Sequence, residues 1–118
     1  MRAQRPVYLN LLKIRQPLPA VVSILHRISG FLLFLSLPFV LNAFQQSLGS
    51  EQAFLELGGN AWVRAGVFLV LGMYAYHFFA GLRFLVFDLH RSALYPHIRS
   101  SAYAVLLLAM IAVVLLGV

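Results

Sequence analysis

The sequence predicts an all-α integral membrane protein that crosses the bilayer three times in 118 residues. Three observations carry that expectation. Hydrophobic residues make up 62% of the chain and charged ones 10%, whereas a soluble domain holds roughly 45 to 50% apolar residues. The apolar residues gather into runs of the ~20 residues that an α-helix needs to cross about 30 Å of hydrocarbon. The nine Lys and Arg and three Asp and Glu mostly flank those runs, as topology signals do. A formal net charge of +6 would point to nucleic acid in a soluble protein. This distribution argues for a lipid bilayer and no nucleic acid.

Residues 1–20 form a basic segment with Arg2, Arg5, Lys13 and Arg15, interrupted by Pro6, Pro17 and Pro19. It has neither the short apolar core and small-residue cleavage site of a secretory signal nor the serine-rich character of a transit peptide. The first span is expected at 21–44, because "ISGFLLFLSLPFVLNAFQQSLGS" places 23 uncharged residues between Arg27 and Glu51; Pro38 should bend it. Residues 45–60 hold Glu51, Glu56 and a Gly-Gly pair but no Lys or Arg, so they read as an outer, periplasmic loop, with the N-terminus cytoplasmic. A second span follows at 61–87, with Arg64 near its outer end, then a cytoplasmic loop at 88–100 containing Arg91, Pro96 and Arg99. The third span, 101–118, is almost uniformly aliphatic, with Tyr103 where an interfacial aromatic belongs. It reads as an anchor ending on the periplasmic side.

The chain has no cysteine, which excludes disulfides, thiolate-held clusters and cysteine nucleophiles. Chemistry must come from the ionisable groups left inside the apolar runs. His77 lies eleven residues before Asp88, about 16 Å along a helix from the cytoplasmic end. Ionisable side chains at such depth normally face a bundle interior, a cavity or a cofactor, and the residue alone leaves ligand and structural roles open. His77, Gly81, Phe84 and Asp88 share one helical stripe. Gly81 either leaves space for a flat macrocycle beside the imidazole or merely allows close helix packing. A neutral imidazole in an apolar bundle suits haem iron. His26 reads as lying near the cytoplasmic end of the first span, and His90 and His97 in the loop, so a six-coordinate haem needs its second histidine from another subunit.

The stretch "SILHRISG" (23–30) is the other informative one. Ser23 and Arg27 are one turn apart on a common face, beside His26. A hydroxyl next to a guanidinium can hold a quinone carbonyl, and Arg27 or His26 can pair a haem propionate. On spacing alone, an Arg27 that snorkels to lipid phosphates is the simpler reading.

With these residues in view, the chain resembles the cytochrome b subunits of succinate dehydrogenase, the larger of two small membrane anchors in bacterial succinate:ubiquinone oxidoreductases. The resemblance spans nearly the whole chain. It rests on "RPVYLNLLKIRQPLPAVVSILHRISG", which is similar to a signature around Ser-x-x-His-Arg-x-[Ser/Thr]-Gly, and on "HFFAGLRFLVFD", similar to His-x-x-x-Gly-x-Arg-[His]-x-x-x-Asp. It implies a helix bundle, shared with the smaller anchor subunit, that binds haem b. His77 would be the axial iron ligand, Ser23 and Arg27 would line the ubiquinone pocket beside the iron-sulfur subunit, and His26 with Arg27 would lie near the haem propionates. Asp88 matches an acidic position near that pocket, either on a proton path or as a helix-end residue paired with Arg83 or Arg91. Phe84 departs from the pattern, standing where many members carry a second histidine, which puts any propionate or proton role there in doubt.

The resemblance further implies location in a bacterial inner membrane and partnership with flavoprotein and iron-sulfur subunits that hold FAD and the clusters. This chain would lack a succinate site and contribute only to the quinone site of that respiratory oxidoreductase of the tricarboxylic acid cycle. Two rivals stay open: an anchor of a fumarate reductase working with menaquinol, and a non-redox membrane assembly subunit.

Overall fold

The computed structural model describes residue 10 and residues 12–117. Arg2, Arg5 and Pro6 of the basic segment and Val118 of the third span lie outside the described residues. Helix α1 (Leu18–Ser47) starts directly after Pro17, whose extended backbone (φ −66°, ψ 152°) halts any earlier turn, and Pro19 sits in its first turn, where a missing N–H costs nothing. The helix continues through Pro38, which cannot donate to the carbonyl four residues back. A short turn at Leu48 and Gly49 leads to α2 (Glu51–Gly59).

The expected outer loop 45–60 is therefore largely helical. Ser50 accounts for this: its hydroxyl accepts from the Ala53 N–H at 3.0 Å, and Glu51 places negative charge at the positive helix end. Asn60 then caps α3 (Ala61–Leu89), its Oδ1 accepting from Trp62 N–H at 2.9 Å and Val63 N–H at 3.3 Å. The expected inner loop 88–100 is also mostly helical. After His90 come α4 (Arg91–Leu94), a 3₁₀ turn at Tyr95–His97 that accommodates Pro96, and α5 (Ile98–Gly117).

Helix α3 is the central element, packed against both α5 and α1. Small residues make that possible: Ala75, Ala80, Ala102 and Ala109 are buried together with Val22 and Val105. At Gly72 a Cβ would stand only 3.3 Å from Val113 Cγ2, so the α3 and α5 backbones approach closely, as small residues allow in membranes. The outward surface is the reverse of a soluble protein's, with Phe39 77% and Leu115 71% exposed among many large apolar side chains. Helix α1, helix α3 and the segment Arg91–Gly117 are each long and apolar enough to cross a membrane. The protein is a multi-pass, all-helical membrane protein.

Candidate functional site

Polar contacts in the bundle concentrate where α3 meets the first turns of α1. Tyr76 Oη donates to the Val22 carbonyl at 2.7 Å. One residue on, His77 Nδ1 lies 3.1 Å from the His26 carbonyl and 3.1 Å from Ser29 Oγ, while Ser29 Oγ donates to the same carbonyl at 2.8 Å. A carbonyl oxygen only accepts, so the proton is on Nδ1, and the lone pair of the neutral ring is on Nε2. Among the described residues, no hydrogen bond is made to Nε2.

The local sequence explains why the ring fits. Gly30 presents bare backbone: a Cβ there would lie 2.8 Å from His77 Cε1, nearer than packed atoms come. The His26 ring stacks on His77, centroids 4.1 Å apart and planes 10° from parallel. It also meets Phe84 at 5.2 Å, tilted by 52°, so Phe84 packs at an angle on an imidazole.

Two expectations change. His26 does not stay at the rim of the first span: α1 begins at Leu18, three residues before the expected entrance, which carries His26 about 12 Å into the helix and level with His77. The space beside Gly81 is taken by His26, whose Nε2 would lie 3.5 Å from a Cβ there.

Ser23 is half-buried, Arg27 exposed and Asp88 exposed. The pairing of Asp88 with Arg83 does not form. Arg83 is only 9% exposed; its Nε donates to Ser101 Oγ and its Nη2 to the Ile98 carbonyl, each at 2.9 Å, and the guanidinium lies 5.0 Å from the Phe87 ring centroid. Sequence reasoning missed Tyr76, Ser29, Gly30 and Arg83 as structural partners of the site. Ser29 and Gly30 were visible only as the end of the first motif, while the reach of Tyr76 and Arg83 to other helices leaves no trace in spacing.

Among the described residues, no three His, Asp or Glu side chains converge as a cation cage. The site offers instead one imidazole with a bound Nδ1 and a free Nε2. That donor set fits haem, which supplies four equatorial nitrogens of its own and asks the protein only for axial ligands.

Residues 1–116 match the family described as succinate dehydrogenase/fumarate reductase transmembrane subunit. The chain belongs to this family. A succinate dehydrogenase cytochrome b556 subunit of Coxiella burnetii (strain RSA 493 / Nine Mile phase I) is 40% identical over 122 residues, an alignment that takes in 100% of this chain and 98% of that relative. As a transmembrane subunit of the succinate dehydrogenase/fumarate reductase family, the chain is a membrane anchor, and its α1–α3 junction carries both motifs on which the resemblance rests.

Proposed function

We propose that this chain is the cytochrome b anchor of a succinate dehydrogenase in a bacterial inner membrane. It binds haem b through His77 and forms part of the site where electrons from succinate reach ubiquinone. The observation that carries this reading is the His77 imidazole held by Nδ1 against α1, with Nε2 left as the donor. Metal-binding histidines are usually oriented in this way by a partner on the other ring nitrogen. The stacked His26 cannot serve as the opposite ligand, because two rings in face contact at 4.1 Å leave no space for a macrocycle between them. A second histidine for the haem would come from the smaller anchor subunit, as the resemblance implies.

When bound, haem supplies a one-electron carrier within the bundle. This chain's residues do the rest. Ser23 and Arg27, one turn apart on α1, donate to a quinone carbonyl, and the guanidinium stabilises charge developing on that oxygen. His26 and Arg27 counter the haem propionates. Asp88, exposed at the inner end of α3, passes protons toward the quinone. The basic residues Lys13, Arg15, Arg91 and Arg99 place positive charge on the face that docks the iron-sulfur and flavoprotein subunits, which hold the clusters and FAD. The N-terminus lies in the cytoplasm and the C-terminus in the periplasm.

The family takes in fumarate reductases as well; the name of the Coxiella relative favours the succinate-oxidising direction. Purification in mild detergent, with subunit identification and a reduced-minus-oxidised spectrum, tests the reading. Co-purified flavoprotein and iron-sulfur subunits with b-type bands that vanish in His77→Ala are expected. A haem-free complex, or bands untouched by that substitution, rejects the haem assignment. Faster menaquinol-to-fumarate than succinate-to-ubiquinone turnover would reverse the direction.

A further inference from the structure

We infer that Ser29 is a positioning residue for the haem ligand. It accepts from His77 Nδ1–H beside the His26 carbonyl, which sets that tautomer, and so ties the ring to the same stretch of α1 that carries Ser23 and Arg27. The inference rests on the haem reading given above.

Ser29 is 6% exposed, so its hydroxyl must find partners inside the protein. Its proton is committed to the His26 carbonyl at 2.8 Å. Oγ consequently meets His77 Nδ1 with a lone pair, as an acceptor, at 3.1 Å. The Nδ1–H is thus shared between two oxygens at the same distance, Oγ and the His26 carbonyl. The alternative tautomer would turn the Nδ1 lone pair onto the carbonyl lone pairs, which repel it. An acceptor on Nδ1–H orients a metal-binding histidine and strengthens its donation to the metal it would hold, so two oxygens on Nδ1–H would keep the potential of a haem held there lower than one would.

Gly30 completes the seat, since the ring edge lies where any side chain at position 30 would begin. The Tyr76 hydrogen bond to Val22 holds α1 one turn earlier, immediately before Ser23. Residues 22, 26, 29 and 30 therefore fix the height and rotation of α1 against α3, and the quinone-facing pair has its register set by the contacts that seat the iron ligand.

The test uses the intact complex carrying Ser29→Ala or Ser29→Thr. Ser29→Ala should retain haem about 10-fold less well on detergent washing and show a midpoint potential shifted upward. Ser29→Thr, which keeps the hydroxyl, should restore both. A merely structural serine would not move the potential and would not be rescued selectively by threonine. Should Ser29→Ala fail to assemble, Ser29→Cys keeps the volume, loses the strong acceptor and carries the same expectation. Wild-type retention and potential in the assembled Ala or Cys variant would overturn the inference while leaving the haem reading intact. Absence of b-type bands in the unsubstituted complex would overturn the haem reading itself, and this inference with it.

Discussion

A single methyl group at position 30 decides whether the His77 imidazole can sit against α1. Gly30→Ala puts a Cβ 2.8 Å from His77 Cε1, so either the ring or the helix must shift. Haem retention is expected to fall roughly 10-fold or more in a complex that still assembles, measured as haem per complex by the reduced-minus-oxidised spectrum. Gly81→Ala makes the contrast: its Cβ would meet His26 Nε2 at 3.5 Å, an ordinary contact, and haem content should stay near wild type. At the inner end of α1, Ser23→Ala and Arg27→Ala should lower the rate of quinone reduction on the order of 10- to 100-fold, with the haem spectrum preserved, if a charge-assisted contact of about 1.5–3 kcal/mol is removed. An unchanged rate in both would leave Arg27 as a lipid-facing cation. His77 and Arg27 stand out as candidates in the sequence because an ionisable group in an apolar run is costly wherever it points. The seat beneath His77 does not, since Ser29 and Gly30 look like any small pair in a membrane helix.

Between elements, α3 is held to its neighbours by unlike means at different levels. Its C-terminal end is latched to α5 by Arg83, through Ser101 Oγ and the Ile98 carbonyl, and its middle is bonded to α1 by Tyr76 and His77. Toward its N-terminal end, Gly72 packs closely against the Val113 side chain. Arg83→Met removes two hydrogen bonds from a charged donor and should cost about 2–4 kcal/mol, discounted for the methionine's packing, read as a lower thermal midpoint of the complex in detergent. Arg83→Lys should recover only part of the loss, because an ammonium lacks the planar fork that spans a hydroxyl and a carbonyl together. Two helix starts were legible, that of α3 beside Asn60 and, to within three residues, that of α1 after Pro17. The helix in 51–59 was not, because nine residues are too few to show an apolar period, although the cap Ser50 and the acidic Glu51 are both present in the sequence.

For the whole molecule, three long helices with wide apolar faces, among whose described residues Val22 is the largest fully buried side chain, make a bundle that presents most of its apolar surface outward. Lipid satisfies such faces, and in the proposed complex the helices of a second anchor would cover part of them. The proposed orientation has a direct check, helped by the absence of native cysteine. Single cysteines introduced at Glu51 and Ser92 should react with an impermeant maleimide from opposite sides of the membrane, Glu51→Cys from outside and Ser92→Cys only after permeabilisation. Labelling of both from one side would refute a three-span topology. The proposed sidedness rests on the contrast between the lysine- and arginine-free segment around α2 and the basic segment around α4.

Composition and the spacing of charges by themselves determined that this chain is a three-helix membrane protein, because the free-energy cost of charge and of unpaired backbone in hydrocarbon leaves few other solutions. The two motifs determined which residues carry the chemistry worth testing. Only the tertiary structure decided that His26 rises to the level of His77, that Arg83 turns to α5 instead of Asp88, and that Ser29 and the His26 carbonyl hold Nδ1. Each of these depends on the relative height and rotation of two helices far apart in the chain. Helical periodicity defines the face a residue occupies within its own helix, but the register of one helix against another is set by interlocking contacts such as Tyr76 on Val22.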